Sequence, residues 1–260
     1  MKYGVCTLSM APVRKSPSSR SEMSNQLLFG DLIEILDRVD SWLFIRSVFD
    51  SYEGWLDFRQ VTEVSNEYFE KAASAALCVC CDPVGILKDE HGNLKVRIVA
   101  GSSLPGMNDN HFEIDGSHYF YDGNSAVMHG NASRENICNI ALAYLEAPYL
   151  WGGRSPFGID CSGFVQAVFK IGGLPMKRDA SQQAMQGNTI SFLEESLPGD
   201  LVYFDNEEGV IIHTGILLEN NKIIHSSGKV RIDNIDHEGI FNHELQKYTH
   251  RLRLIKSVIA

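Results

Sequence analysis

Cys161, His213 and His225 are the side chains whose types and spacing could perform nucleophilic chemistry. Cys161 lies in "GIDCSGFVQAVFKIGG" (158–173), at the start of what reads as an amphipathic helix. Asp160 before it is a good N-cap residue, which makes Cys161 the first helical residue. There the unpaired backbone N–H groups and the positive end of the helix dipole favour thiolate over thiol. Ser162 and Gly163 keep the surroundings small enough for a substrate backbone to approach. Position alone does not separate a nucleophile from one more buried thiol among the six cysteines. A nucleophilic thiol also needs a base and a group that orients the base.

His213 in "VIIHTGILL" (210–218) and His225 in "KIIHSS" (222–227) are candidates, each inside an otherwise apolar strand. Strand parity tests them. If Glu219-Asn220-Asn221 forms the hairpin loop, Leu218 pairs with Lys222 and His225 falls opposite Gly215. Both rings then share one face as diagonal neighbours about 7–8 Å apart at Cα, near enough to hydrogen-bond. A loop of two or four residues would put them on opposite faces. Gly215 leaves room for the imidazole across from it. Tyr149, in "APYLWGGRSPFGIDCSG" (147–163), could offer its hydroxyl beside the Cys161 N–H to an oxyanion, or simply pack under its own loop.

The elements that must hold these residues form an α+β pattern. "SRENICNIALAYLEAP" (133–148) has apolar residues at 137, 140, 141, 144 and 145, a helical spacing with Ser133 as N-cap. The Cys161 helix follows, ended by Gly172-Gly173. The strands "DLVYF" (200–204), 210–218 and 222–227 then give helices first and an antiparallel sheet after. Ahead of them, "DLIEIL", "WLFIRS" and "GWLD" predict a small all-β barrel or sandwich over residues 1–65. Residues 66–76 read as a turn or two of helix. "ALCVCC", "VGILKD", "NLKVRIVA" and "HYFYDG" suggest a second small β domain over 66–128, before a third domain at 129–260.

The chain has 260 residues, 44% hydrophobic and 22% charged, as in an ordinary globular protein. Its net charge of −10 comes without any dense Lys/Arg block, so nucleic acid and anionic membrane are poor partners. No segment reaches the apolar length of a membrane span, and the first residues lack the unbroken apolar run of a signal peptide. A cytoplasmic location is the expectation. "LCVCC" contains Cys78, Cys80 and Cys81 in a strand-like run without a second ligand pair, so these read as buried reduced thiols rather than a zinc site.

"PYLWGG", "DCSGFVQAVF", "LPGDLVYF", "HTGILL" and "IIHSS", in this order, resemble the NlpC/P60 cysteine peptidases over about residues 131–256. The resemblance implies a papain-like fold, with Cys161 as nucleophile, His213 as base, His225 orienting it and Tyr149 on the oxyanion side, and no metal or organic cofactor. "SEMSNQLLFGDLIEIL", "WLFIRS" and "SYEGWLD" resemble the bacterial SH3 domains found ahead of such peptidases. Together they are similar to the γ-D-glutamyl-L-diamino acid endopeptidases, which cut wall peptides carrying a free N-terminal L-Ala. That similarity implies a muropeptide substrate, with a carboxylate and a tyrosine of the first SH3 domain (matched here by Glu22 and Tyr52) and Asp179 of "KRDASQQ" binding the amine. Trp151, Asp160 and Ser162 complete the expected substrate-binding set. Two other readings share these features: a wall-peptide binding module with an inert C-terminal domain, and a cysteine acyltransferase or amidase on the same fold.

Overall fold

In the computed structural model, residues 2–259 are described, and the chain divides into two compact units. The first comprises residues 1–129 together with Trp151–Ser155; the second comprises 130–150 and 156–260.

The first unit begins with a seven-stranded antiparallel sheet. Its strand order is Met23–Leu28, Met10–Arg14, Glu53–Asp57, Trp42–Ser47, Leu32–Val39, Tyr3–Val5, Thr62–Glu63. Alternation drives it. Ala11 and Val13, Leu43 and Ile45, and Leu56 point inward and pack with Cys6, Leu27 and Ile33. Four of these strands, Tyr3–Val5, Met10–Arg14, Thr62–Glu63 and Met23–Leu28, were not anticipated. The last is polar in its first half, and Pro12 interrupts the second. Pro12 is tolerated because its strand pairs fully with Met23–Leu28 on one side but meets Glu53–Asp57 only at Arg14.

Helix α1 (Asn66–Ser74) follows, capped by Ser65, whose side chain accepts from the Tyr68 N–H at 3.2 Å. Two small sheets come next. One orders Leu94–Val99, Val84–Lys88, Ser117–Phe120 and His111–Ile114; the other orders Ser103–Pro105, Leu77–Cys80 and Ser125–Val127. Cys78, Cys80, Leu87, Ile98 and Leu104 share their core with Phe29 from the first sheet. Cys78 and Cys80 are buried and Cys81 partly so, all three as free thiols.

In the second unit, α2 (Arg134–Leu142) starts at Ser133 as expected, with the Asn136 N–H at 3.1 Å from its hydroxyl, and stops six residues before Pro148. Helix α3 spans Cys161–Ile171 and every residue of it is buried. A four-residue helix, α4 (Ala180–Gln183), follows. The sheet has seven strands where three were foreseen: Asn188–Ile190, Lys247–Ser257, Leu201–Asp205, Ile211–Leu218, Lys222–Ser227, Lys229–Ile235 and Gly239–Asn242, in that order. Gly239–Asn242 also pairs back on Lys247–Ser257, which closes six strands into a ring. That closure requires a glycine: Gly239 has φ +142, and a Cβ there would stand 1.8 Å from the His250 carbonyl oxygen. Val202, Phe204, Leu217, Ile223, Ile235, Ile240 and Ile255 form the core. Among the described residues no helix is long and apolar enough to cross a membrane.

Candidate active site

The site is built around the start of α3. Asp160 caps the helix, accepting from the Gly163 N–H at 2.7 Å, and Cys161 is the first helical residue. Asp160 is held in turn by Arg178, which donates to its two oxygens at 3.0 and 2.6 Å and to the Ser162 hydroxyl at 2.9 Å. Both members of this ion pair are buried. The Gln183 amide donates to the Ser162 carbonyl at 2.9 Å and so ties α4 to the same turn.

The helix start alone would favour a thiolate, but burial outweighs it. Desolvation, reinforced by the Asp160 carboxylate, pushes the Cys161 thiol up to about 12, while the Thr214 N–H, Arg178 and the Ser162 N–H pull the other way. The free protein therefore carries a neutral thiol. Its bond with the Thr214 N–H places the sulfur against the strand of His213, one residue along.

The hairpin has the predicted parity. Leu218 pairs with Lys222, Leu217 with Ile223 and Ile216 with Ile224, leaving Glu219-Asn220-Asn221 as the loop. The two imidazoles share a face: His213 Nε2 and His225 Nδ1 are 2.8 Å apart, with the ring planes at 84°. Gly215 supplies the predicted room, since a Cβ on it would lie 2.9 Å from the His225 Cβ. Burial holds the His213 pKa well below its ordinary value, and His225 and His250 add to that. Burial also lowers His225, against the opposing pull of Asp233.

Asp233 was not anticipated. Its Oδ2 lies 3.0 Å from His225 Nε2, and Arg231 donates to both of its oxygens at 2.7 and 3.0 Å. Burial would raise this carboxyl, but the bonds from His225 and Arg231 outweigh it and hold it below the usual value. The Ser226 hydroxyl donates to the Ile159 carbonyl at 2.8 Å, fastening the His225 strand to the segment that leads into α3. Tyr149 joins from its own loop, its N–H bonded to the Gly228 carbonyl at 3.0 Å. Burial and then the nearby Cys161 and Asp160 raise its phenol to about 12, so it remains a hydrogen-bond donor.

Residues 146–249 match the NlpC/P60 family, and residues 13–60 match the bacterial dipeptidyl-peptidase Sh3 domain. The chain carries an NlpC/P60 peptidase domain behind a bacterial SH3 domain. It is 26% identical to a γ-D-glutamyl-L-lysine dipeptidyl-peptidase of Bacillus subtilis, over 78% of this chain and 72% of that protein. It is 24% identical to dipeptidyl-peptidase 6 of Lysinibacillus sphaericus, over 88% and 90%. The crystal structure of an NlpC/P60 family protein from Bacillus cereus superposes with a TM-score of 0.84 at 18% identity, covering 99% of this chain and 100% of that one. That likeness establishes the fold.

The remaining expected residues divide between the units. Glu22, Tyr52 and Trp151 belong to the first. Trp151 donates its indole N–H to Glu22 Oε1 at 2.7 Å, and Lys15 lies 2.8 Å from the other oxygen of Glu22. The Tyr52 hydroxyl reaches the Ser24 carbonyl at 3.5 Å. Asp179 stands at the start of α4 in the NlpC/P60 unit, where the Gln182 side chain reaches back to its N–H at 3.5 Å. Arg178 and Asp233 are the site residues that sequence reasoning missed. "KRD" and "VRID" each offer an arginine beside an aspartate, but which acid each arginine holds depends on the fold.

Proposed function

We propose that this protein is a cysteine peptidase that hydrolyses the γ-D-glutamyl bond to a diamino acid in short wall peptides bearing a free N-terminal L-Ala. The observation that carries the reading is the chain Asp233–His225–His213 on adjoining strands, beside a cysteine at a helix start. Asp233 can only accept, so His225 donates from Nε2 and accepts at Nδ1. His213 then donates from Nε2, and its Nδ1 keeps a lone pair. In the proposed reaction Nδ1 takes the Cys161 proton as the sulfur attacks the γ-carbonyl carbon. The oxyanion is met by the Cys161 N–H and the Tyr149 hydroxyl. His213 passes the proton to the leaving amine, the C–N bond breaks and a thioester remains. Water then attacks with His213 as base, releasing L-Ala-γ-D-Glu and restoring the thiol.

Glu22, Tyr52 and Asp179 are proposed to bind the substrate ammonium, and Asp160, Ser162 and Trp151 to line the site. Lys15 already neutralises Glu22, so the ammonium would have to take that cation's place. Residues 1–65, 66–128 and 129–260 are proposed as two SH3-like domains and a peptidase domain. A substrate with a free amino end is a released fragment rather than intact wall, which fits a role in peptide recycling.

The test is cleavage of L-Ala-γ-D-Glu-L-Lys and L-Ala-γ-D-Glu-meso-diaminopimelate against their N-acetylated forms. Cleavage of the free-amine peptides alone is expected, and Cys161→Ala should abolish it. Equal cleavage of the acetylated forms would refute amine recognition, and cleavage of none would refute the reading.

A further inference from the structure

His250 belongs to neither the motif residues nor the proton chain, yet its ring packs on the centre of both. It lies on the closing strand Lys247–Ser257, and its ring centroid is 4.1 Å from that of His213 at an interplanar angle of 27°. No other pair among the rings near His213 is so close or so parallel: Phe204 stands at 5.8 Å and 43°, His225 at 5.0 Å and 84°. We propose that His250 is a positioning residue for the nucleophile's base, its ring lying flat against His213 and steadying that imidazole, and the imidazolium it becomes, against turning. This rests on the reading of Cys161 and His213 as nucleophile and base.

Three features support the role. The first is that His250 is itself held in place. Its Nδ1 lies 2.9 Å from the Thr249 hydroxyl, which in turn donates to the Ile240 carbonyl at 3.4 Å. The hydrogen bond between that hydroxyl and Nδ1 ties the ring to its own strand. Gly239 lets the neighbouring strand close against the His250 carbonyl. The fold therefore fixes the ring from its own strand and from the adjacent one.

The second feature is charge. Burial and then His225 hold the His250 pKa down to about 4, against the pull of Asp233. At neutral pH the ring is therefore uncharged and presents a π face. When His213 accepts the thiol proton, that face meets a cation at stacking distance, which is attractive; a charged His250 would repel it. The other ionisable groups that line the cleft beside His250 are Asp205, Glu207, His237, Glu238, Tyr248 and Arg251.

The third is that the hydrogen bond to His225 fixes only one atom of the His213 ring and leaves rotation about that contact open. A flat neighbour removes that freedom. Proper aim of Nδ1 matters because small misplacements of a base cost large factors in rate.

The experiment compares the wild type with His250→Phe, His250→Ala and His250→Asn. It measures kcat and KM for L-Ala-γ-D-Glu-L-Lys from pH 5 to 9, and in parallel the pH profile of Cys161 alkylation by iodoacetamide. Phenylalanine keeps the flat ring, and its kcat should stay within about threefold of wild type. Alanine and asparagine remove the π face and should lower kcat about tenfold with KM nearly unchanged. The same two should slow Cys161 alkylation at neutral pH and shift its profile, because the thiol's proton acceptor is no longer aimed. Thermal melts select variants that fold, and asparagine, which can keep the bond to Thr249, decides if alanine does not. Wild-type kcat in the alanine or asparagine variant, or a loss confined to KM, overturns the proposal. So does a phenylalanine variant that folds but is as slow as alanine. If the wild type cleaves no peptide, the peptidase reading fails on its own. Alkylation profiles then still decide: identical curves for wild type and asparagine overturn the role of His250.

Discussion

Asp233 fixes where the protons lie in the histidine pair, and two variants test the site one residue at a time. An asparagine at 233 could donate to His225 Nε2 and reverse the chain, leaving His213 without a bare nitrogen for the thiol. Asp233→Asn is expected to lower kcat by about 10²–10⁴-fold with little change in KM, as when a triad acid loses its charge. Activity within threefold of wild type, read in steady-state kinetics, would show that Asp233 does not set the tautomer. Arg178 acts at the other end of the site. Its two bonds neutralise Asp160, which caps the Cys161 helix in a buried position. Arg178→Ala removes the charge partner of that buried carboxylate and is expected to cost about 3–5 kcal/mol in urea unfolding. An unchanged midpoint would mean that Asp160 reaches water by another route.

The hairpin holds the site's geometry in its length. Asn220 and Asn221 both have positive φ, a conformation asparagine tolerates, so the loop turns in three residues and the two rings face the same way. One glycine inserted between them turns His225 to the opposite face, and activity is expected to vanish; two inserted glycines restore the parity and should restore part of the rate. Activity in the single-insertion variant, read by peptide cleavage, would sink the register argument. This element was legible in the sequence because apolar alternation, a turn-prone pair and a lone glycine opposite an imidazole all specify the same pairing. The strands after it were not. "KVRIDNI" and "KYTHRLRLIKS" alternate charged and apolar residues with few turn signals between them, and their pairing depends on the ring closing. Asp233 and His250 lie on those strands, so their places near His225 and His213 followed from no local pattern. The first sheet was half legible for the same reason: "WLFIRS" advertises itself, whereas "MSNQLL" buries Asn25 and Gln26 along with its leucines.

At the scale of the whole molecule, buried ionisable groups set a stability window with two edges. The second unit buries three imidazoles whose pKa is depressed: His213, His225 and His250, the last to about 4. Unfolded, each binds a proton near 6.5, so below that pH the unfolded chain holds more protons than the folded one. Stability therefore falls as pH falls, at up to about 1.4 kcal/mol per pH unit for each group. The cysteines act with the opposite sign. Cys6 and Cys81 at about 12 and Cys80 at about 11 in the first unit, with Cys161 at about 12 in the second, stay protonated when folded but ionise near 9 when unfolded. Stability is then lost as pH rises from about 9. Between these limits it should be nearly flat. The two edges can be told apart because Trp42, Trp55 and Trp151 all belong to the first unit. Tryptophan fluorescence thus reports that unit, while far-ultraviolet circular dichroism reports both. From pH 7.5 to 5, the circular dichroism transition in urea should move to lower denaturant by more than the fluorescence transition does. Above pH 9 both should move. A single transition that shifts equally in both signals under acid would mean that the histidine cluster does not destabilise its own unit selectively, and that its rings are hydrated rather than sealed against the proton.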